Sequence, residues 1–132
     1  LGLEHSITIH PPTREIINHY LSSSIYAMTS HFEGFPMVLL EAQTCGIPTV
    51  AYNCPTGPEE IILDGRTGYL VSPGNESELA SKLLKLMQDP TLRKQMSRES
   101  RKRSEYFSEE RICKMWNKLL NQYNSLTNSP GF

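Results

Sequence analysis

Residues 31–52, HFEGFPMVLLEAQTCGIPTVAY, decide how this chain folds. Gly34-Phe35-Pro36 is a bend. Met37-Val38-Leu39-Leu40 opens a helix that the spacing predicts over residues 36–45, with Pro36 at its first turn, where a missing N–H costs nothing. Gly46-Ile47-Pro48 stops that helix, and the apolar run Thr49-Val50-Ala51-Tyr52 reads as a strand. Just upstream, Ile25-Tyr26-Ala27-Met28 is a short, largely apolar strand of the kind buried in a parallel sheet. Strand, bend, helix, stop and strand make one parallel unit.

The pattern extends both ways. Ser6-Ile7-Thr8-Ile9-His10 is β-rich and ends at Pro11-Pro12. Thr13 can cap a helix over 14–21, with Ile16, Ile17, Tyr20 and Leu21 on one face. Downstream, 59–63 reads as a short helix ended by Asp64-Gly65, and 68–71 as a last strand stopped by Pro73-Gly74. The chain then turns helical. Asn75 or Ser77 caps a helix to about Gln88, with Leu79, Leu83, Leu84 and Met87 expected inward. Asp89-Pro90 separates it from a helix over 91–104. A final helix starts near Ser108 and carries Ile112, Met115, Trp116, Leu119, Leu120 and Tyr123 at helical spacing, a stripe suited to a core or an inter-domain surface. Strands alternating with helices predict an α/β fold: a Rossmann-like parallel sheet of about four strands, flanking helices and a helical C-terminal tail. Residues 1–127 form the expected domain, and 128–132 are expected to be disordered.

At 132 residues the chain suits one domain with one core. With 13 Lys+Arg against 14 Asp+Glu, it lacks the charge excess of a general nucleic-acid binder. The basic run Arg93, Lys94, Arg98, Arg101, Lys102, Arg103 is interspersed with Glu99 and Glu105, without aromatic interleaving, and reads as a solvated helix face. Peripheral contact with anionic lipid is its minor alternative. Cys45, Cys54 and Cys113 show no C-x-x-C spacing, which suggests neither a disulfide framework nor a zinc site and fits a reduced, cytoplasmic setting. No run approaches the ~20 apolar residues needed to span a bilayer.

The chemistry gathers at the bend. Glu33 and Glu41 flank it with seven residues between them. A helix N-terminus offers free N–H groups and a positive dipole end, which suit an anion. Carboxylates repel phosphate but accept hydrogen bonds from hydroxyls, as on a ribose and a sugar. The site reads as one for a sugar attached to a phosphate. It lies beyond the carboxyl end of strand 25–28, where parallel α/β sheets hold their ligands. Glu41, flanked by Leu39, Leu40 and Ala42, is expected on a mostly buried helix, where a carboxylate needs satisfied partners. His31 adjoins the bend and could touch the same ligand.

With these residues in place, the chain resembles the nucleotide-sugar-binding half of retaining GT-B glycosyltransferases of family four. The similarity runs from about Ile7 to Phe107, through SSIYAMTSHFEGFPMVLLEAQTCGIPTVAY, then PTGPEEIILDGRTGYLVSP and a closing helical block. The carboxylate pair together with Gly-Phe-Pro, Gly-Ile-Pro and Asp-Gly-x-x-Gly makes the match specific. The resemblance implies that Glu33 contacts the donor sugar near the reacting carbon, as the catalytic residue. It implies that backbone amides at Gly34, Phe35, Met37 and Val38 hold sugar hydroxyls and phosphate. Pro36 only shapes the loop, and Glu41 accepts from the ribose hydroxyls. Gly57 and Glu60 match a further loop lining the cleft.

The resemblance also implies transfer from a nucleotide sugar to a saccharide or lipid-linked acceptor, with retained configuration. No metal and no cofactor are expected: Asp-x-Asp is absent, and cations with helix dipoles take that work. In such proteins an Arg and a Lys for the diphosphate, and a whole acceptor domain, come earlier than the residues present here. The chain is therefore expected to be part of a GT-B C-terminal domain, inactive alone, acting in the cytoplasm or at the inner face of a membrane. Its alternatives are a non-catalytic nucleotide- or sugar-binding module and a sugar-nucleotide epimerase-like domain.

Overall fold

The computed structural model of the chain describes residues 2–127. Three strands, β1 (Tyr26–Met28), β2 (Thr49–Tyr52) and β3 (Gly68–Val71), form a parallel sheet in the order β1-β2-β3. The register pairs Tyr26 with Thr49, Met28 with Ala51, Thr49 with Gly68 and Tyr52 with Val71. The described residues also form six helices: α1 (Ile16–Ser22), α2 (Met37–Thr44), α3 (Pro58–Ile61), α4 (Glu76–Gln88), α5 (Pro90–Ser104) and α6 (Glu109–Thr127). A 3₁₀ turn, Glu105–Phe107, joins α5 to α6.

Strand alternation splits the core into two layers. Val50, Tyr52, Tyr69 and Val71 pack on Leu86 of α4 and Met96 of α5. On the opposite face, Met28 and Ala51 pack on Leu39 of α2 and on Ile61 and Ile62. A smaller cluster of Tyr20, Ala42 and Ile47 fastens α1 to α2 at the sheet edge.

The α/β expectation holds, with one strand fewer. Residues 7–10 form no strand, and Ile7 and Ile9 are 59% and 91% exposed. Local β-propensity makes a strand only where a neighbour supplies hydrogen-bond partners, and none of the described residues does so here. Helix α1 begins at Ile16, and the Thr13 hydroxyl instead accepts from the N–H of Glu15. Of its expected apolar face only Tyr20 is buried. Helix α2 starts one residue later than expected, with Pro36 as its N-cap. On α4 the inward stripe is Leu79, Leu83 and Leu86, while Leu84 and Met87 are exposed, because i, i+4, i+7 spacing selects the first set. Asn75 caps α4 by accepting from the N–H of Glu78, and Asp89 caps α5 by accepting from that of Leu92. The α6 stripe is exposed, from Ile112 to Tyr123, and forms no part of the described core. The expected tail, 128–132, lies outside the described residues.

Gly46 ends α2 in a left-handed conformation (φ +76°). Its N–H bonds the Gln43 carbonyl, and the N–H of Ile47 bonds that of Ala42. The basic run on α5 is more than a solvated face. Arg93 donates to the carbonyls of Leu86 and Met87, Arg101 to that of Cys45, and Arg103 to those of Glu60 and Ile61. Three guanidinium groups thus bind the carbonyl-rich ends of α4, α2 and α3, where a cation also meets the negative end of the dipole. The Asp-Gly-x-x-Gly segment is likewise structural. Asp64 accepts from the N–H of Leu70, and Thr67 Oγ1 accepts from Gln43 Nε2 and from the N–H of Leu63.

Candidate donor site

The bend sits just beyond the carboxyl end of β1, and Glu41 follows it more than one turn into α2. Pro36 is buried and sets the turn into α2. Gly34, Phe35, Met37 and Val38 are exposed around it. Among the described residues, no acceptor bonds the N–H groups of Gly34, Phe35 or Val38. Met37 is the exception among the expected donors: its N–H is used by the Phe35 carbonyl at 2.9 Å, because the chain tightens as it enters the helix. Three open amides therefore surround the start of α2, one fewer than expected.

A second loop braces the bend. The Thr56 hydroxyl donates to the Glu33 carbonyl at 2.5 Å, which ties the backbone of the first carboxylate to the loop after β2. Thr56 itself has φ +62°. Beside it, Gly57 has φ +102°, and a Cβ there would lie 2.3 Å from Pro36 Cδ and 3.1 Å from the Gly34 carbonyl oxygen. Gly57 thus serves the site by close approach to the bend. On the other side, the Phe35 ring lies 5.8 Å from that of Phe107, at the junction of α5 and α6. His31 is exposed and its ring lies 5.7 Å from that of Tyr52, so it remains beside the bend.

The two carboxylates differ in setting. Glu33 is half-buried. Glu41 is exposed, contrary to the buried position expected, because its face of α2 is turned away from the sheet. Its Oε2 accepts from the Tyr20 hydroxyl at 2.9 Å. Tyr26 feels both acids: burial, then the charges of Glu41 and Glu33, raise its phenol above the ordinary value. Burial, then the Glu41 hydrogen bond, raises Tyr20 further still. The two tyrosine rings lie 5.9 Å apart, and Tyr20 bonds Glu41 directly. Beside Glu41, a cavity of about 270 Å³ is lined by Ile16, Ile17, Met37 and Leu40. A larger one, about 550 Å³, runs along α6 between Ile112, Trp116 and Leu119. It is almost wholly apolar and gathers no acid, so size alone does not mark the site.

Sequence reasoning missed Tyr20 and Thr56. Tyr20 falls on an apolar face in the sequence, though a tyrosine in such a face carries a hydroxyl that needs an acceptor. Thr56 had only its turn, Pro-Thr-Gly-Pro, as a signal.

Open amides at a helix start, with two carboxylates nearby in sequence, thus follow the carboxyl end of β1 in a parallel α/β sheet. Residues 1–103 match the family model described as glycosyl transferases group 1, and the chain belongs to that family. It is 40% identical over 119 residues to the amylovoran biosynthesis glycosyltransferase AmsD of Erwinia amylovora, covering 90% of this chain and 33% of that protein. It is 32% identical to the capsular polysaccharide biosynthesis glycosyltransferase CapM of Staphylococcus aureus, covering 83% of this chain and 28% of that one. Among solved structures it superposes with a TM-score of 0.84 and 27% identity on a variant of S. aureus TarM in complex with fondaparinux, alpha-GlcNAc-glycerol and UDP. That match covers 91% of this chain and 24% of TarM. Anabaena HepE in complex with UDP-glucose gives 0.83 and 27%, over 92% of this chain and 34% of that one. The chain spans about a third or less of the length of the curated relatives it matches.

Proposed function

We propose that this chain is the later part of the donor-binding domain of a retaining glycosyltransferase, and that it is inactive without the rest. The observation that carries this reading is the set of three open amides at Gly34, Phe35 and Val38, flanked by Glu33 and Glu41 at the carboxyl edge of a parallel sheet. The complexes of TarM with UDP and of HepE with UDP-glucose support a nucleotide sugar as the donor. AmsD and CapM support a saccharide-assembly role, with a saccharide or lipid-linked acceptor held by another domain.

In this reading the amides hold sugar hydroxyls and the diphosphate, and Glu41 accepts from the ribose hydroxyls. The bond from the sugar's anomeric carbon to the diphosphate oxygen breaks, and negative charge grows on the departing diphosphate. N–H groups fixed at a helix start stabilise that charge most in the transition state. Glu33 orients the sugar and offsets the positive charge near its anomeric carbon. The acceptor hydroxyl bonds that carbon on the face the diphosphate leaves, and its proton passes to a diphosphate oxygen. The reaction needs no metal in this scheme, and nucleic acid plays no part. The setting proposed is the cytoplasm or the inner face of a membrane, by peripheral contact. No helix among the described residues is long and apolar enough to cross a membrane.

The test is thermal stability of the full-length protein against UDP-, GDP-, ADP- and dTDP-sugars, with Glu41→Ala as control. A rise with one donor, lost in the variant, is the expected result. No rise with any nucleotide sugar would favour a degenerate binding module.

A further inference from the structure

The donor-site reading leaves unexplained why an exposed glutamate on α2 should be bonded to a buried tyrosine from another helix. Tyr20 is the one buried residue of α1, at 6% exposure, while Ile16, Ile17 and Leu21 of the same helix are 45%, 51% and 67% exposed. Its ring packs with Ala42 and Ile47, with the Tyr26 ring 5.9 Å away. Packing alone would be met by phenylalanine. The hydroxyl is extra, and a buried phenol needs a partner. It finds one 21 residues away, in Glu41 Oε2 at 2.9 Å.

That bond has a consequence for Glu41. A glutamate on an exposed helix face samples many rotamers, and a ligand that needs one of them must offset the entropy of fixing it. Here the hydroxyl is a fixed point, because its ring is locked in the α1–α2 cluster. The second carboxylate oxygen, Oε1, has no hydrogen-bond partner among the described residues. A donating phenol also leaves the carboxylate's charge in place, so both oxygens retain lone pairs for vicinal hydroxyls.

We propose that Tyr20 is a positioning residue for nucleotide recognition, holding the Glu41 carboxylate in the orientation that accepts the ribose hydroxyls. The inference rests on Glu41 as the ribose acceptor. Tyr20 touches no ligand itself and acts only through Glu41. It therefore contributes to affinity for ribonucleotides and nothing to affinity for nucleotides that lack the two hydroxyls.

The experiment measures the affinity of the full-length protein for UDP and for 2′,3′-dideoxy-UDP by calorimetry, with the GDP and ADP pairs alongside. Wild type, Tyr20→Phe and Glu41→Gln are compared, each with its thermal unfolding midpoint. Wild type should prefer the ribonucleotide, and Glu41→Gln should lose that preference. Tyr20→Phe should weaken ribonucleotide binding by roughly five- to tenfold, the size of one ordinary net hydrogen bond, and leave dideoxynucleotide binding unchanged. Equal weakening of both ligands, no weakening of either, or collapse of the fold in Tyr20→Phe would make the hydroxyl structural and overturn the proposal. A wild type indifferent to the ribose hydroxyls, or binding none of the six nucleotides, would instead overturn the role given to Glu41, and this proposal with it.

Discussion

Replacing Gly57 by alanine tests the brace behind the bend at Gly34-Phe35-Pro36. Two separate costs follow from the geometry. The first is conformational: φ +102° is open to glycine and strained for alanine, by about 1–3 kcal/mol. The second is steric. The new methyl would lie 2.3 Å from Pro36 Cδ, where carbon atoms normally stay about 3.5–4.0 Å apart. Pro36 is buried and its ring is rigid, so the collision is relieved by moving the bend or the loop by more than an ångström. Gly74 provides the control. It has φ +79°, and nothing lies within 4 Å of a Cβ built there, so Gly74→Ala carries the conformational cost alone. In the full-length protein, Gly57→Ala should lower urea stability by about 2–4 kcal/mol and Gly74→Ala by about 1 kcal/mol. The functional difference should be larger. A displacement of about 1 Å at a positioned loop can cost on the order of 10²-fold in turnover, and only Gly57→Ala should show it. Equal losses of stability and turnover in the two variants would refute the claim that Gly57 shapes the bend.

Glu33→Ala should lower turnover more than donor binding, and Glu41→Ala should do the reverse; initial rates over a range of donor concentrations separate the two. Arg103→Ala should cost about 1–2 kcal/mol in denaturant unfolding, since it frees the carbonyls of Glu60 and Ile61 and removes the cation over the Tyr106 and Phe107 rings. Stability should fall in alkali. Tyr20 and Tyr26 both have raised values in the folded protein. Their contribution is complete below the ordinary tyrosine value of 10.0 and is lost as pH rises beyond it, because the unfolded chain gives up those protons first. Unfolding midpoints between pH 8 and 12 check this, and Tyr20→Phe should flatten part of the decline.

Residues 31–52 made the fold legible because each break in their pattern has a local cause. Pro36 cannot donate, Gly46 accepts a left-handed turn, and β2 is apolar at every position but its first. Features that depend on distant neighbours were not legible. Ile7 and Ile9 have strand propensity, but pairing requires an adjacent strand. Leu84 and Met87 are as apolar as Leu83 and Leu86, and the stripe through Leu79, Leu83 and Leu86 faces inward because of how α4 docks on the sheet. At the candidate site, residue type and spacing single out Glu33, Glu41 and the bend. The engagement of the Met37 N–H depended on the tightness of the turn, and the bond from Tyr20 on how α1 docks. The arginines of α5 read as solvent-facing because a backbone carbonyl leaves no mark in a sequence.

Those arginines make the framework indifferent to acid at three of its corners. A guanidinium held by a carboxylate loses its partner when the acid protonates; the Arg66–Glu99 pair, in which Arg66 holds the Glu99 carboxyl below its usual range, weakens in this way as pH falls. Peptide carbonyls take up no proton in that range. The knots that α5 makes with the ends of α2, α3 and α4 therefore stay tied while surface ion pairs come undone, and the helix that follows the Gly34–Pro36 bend keeps its anchor in mildly acidic surroundings.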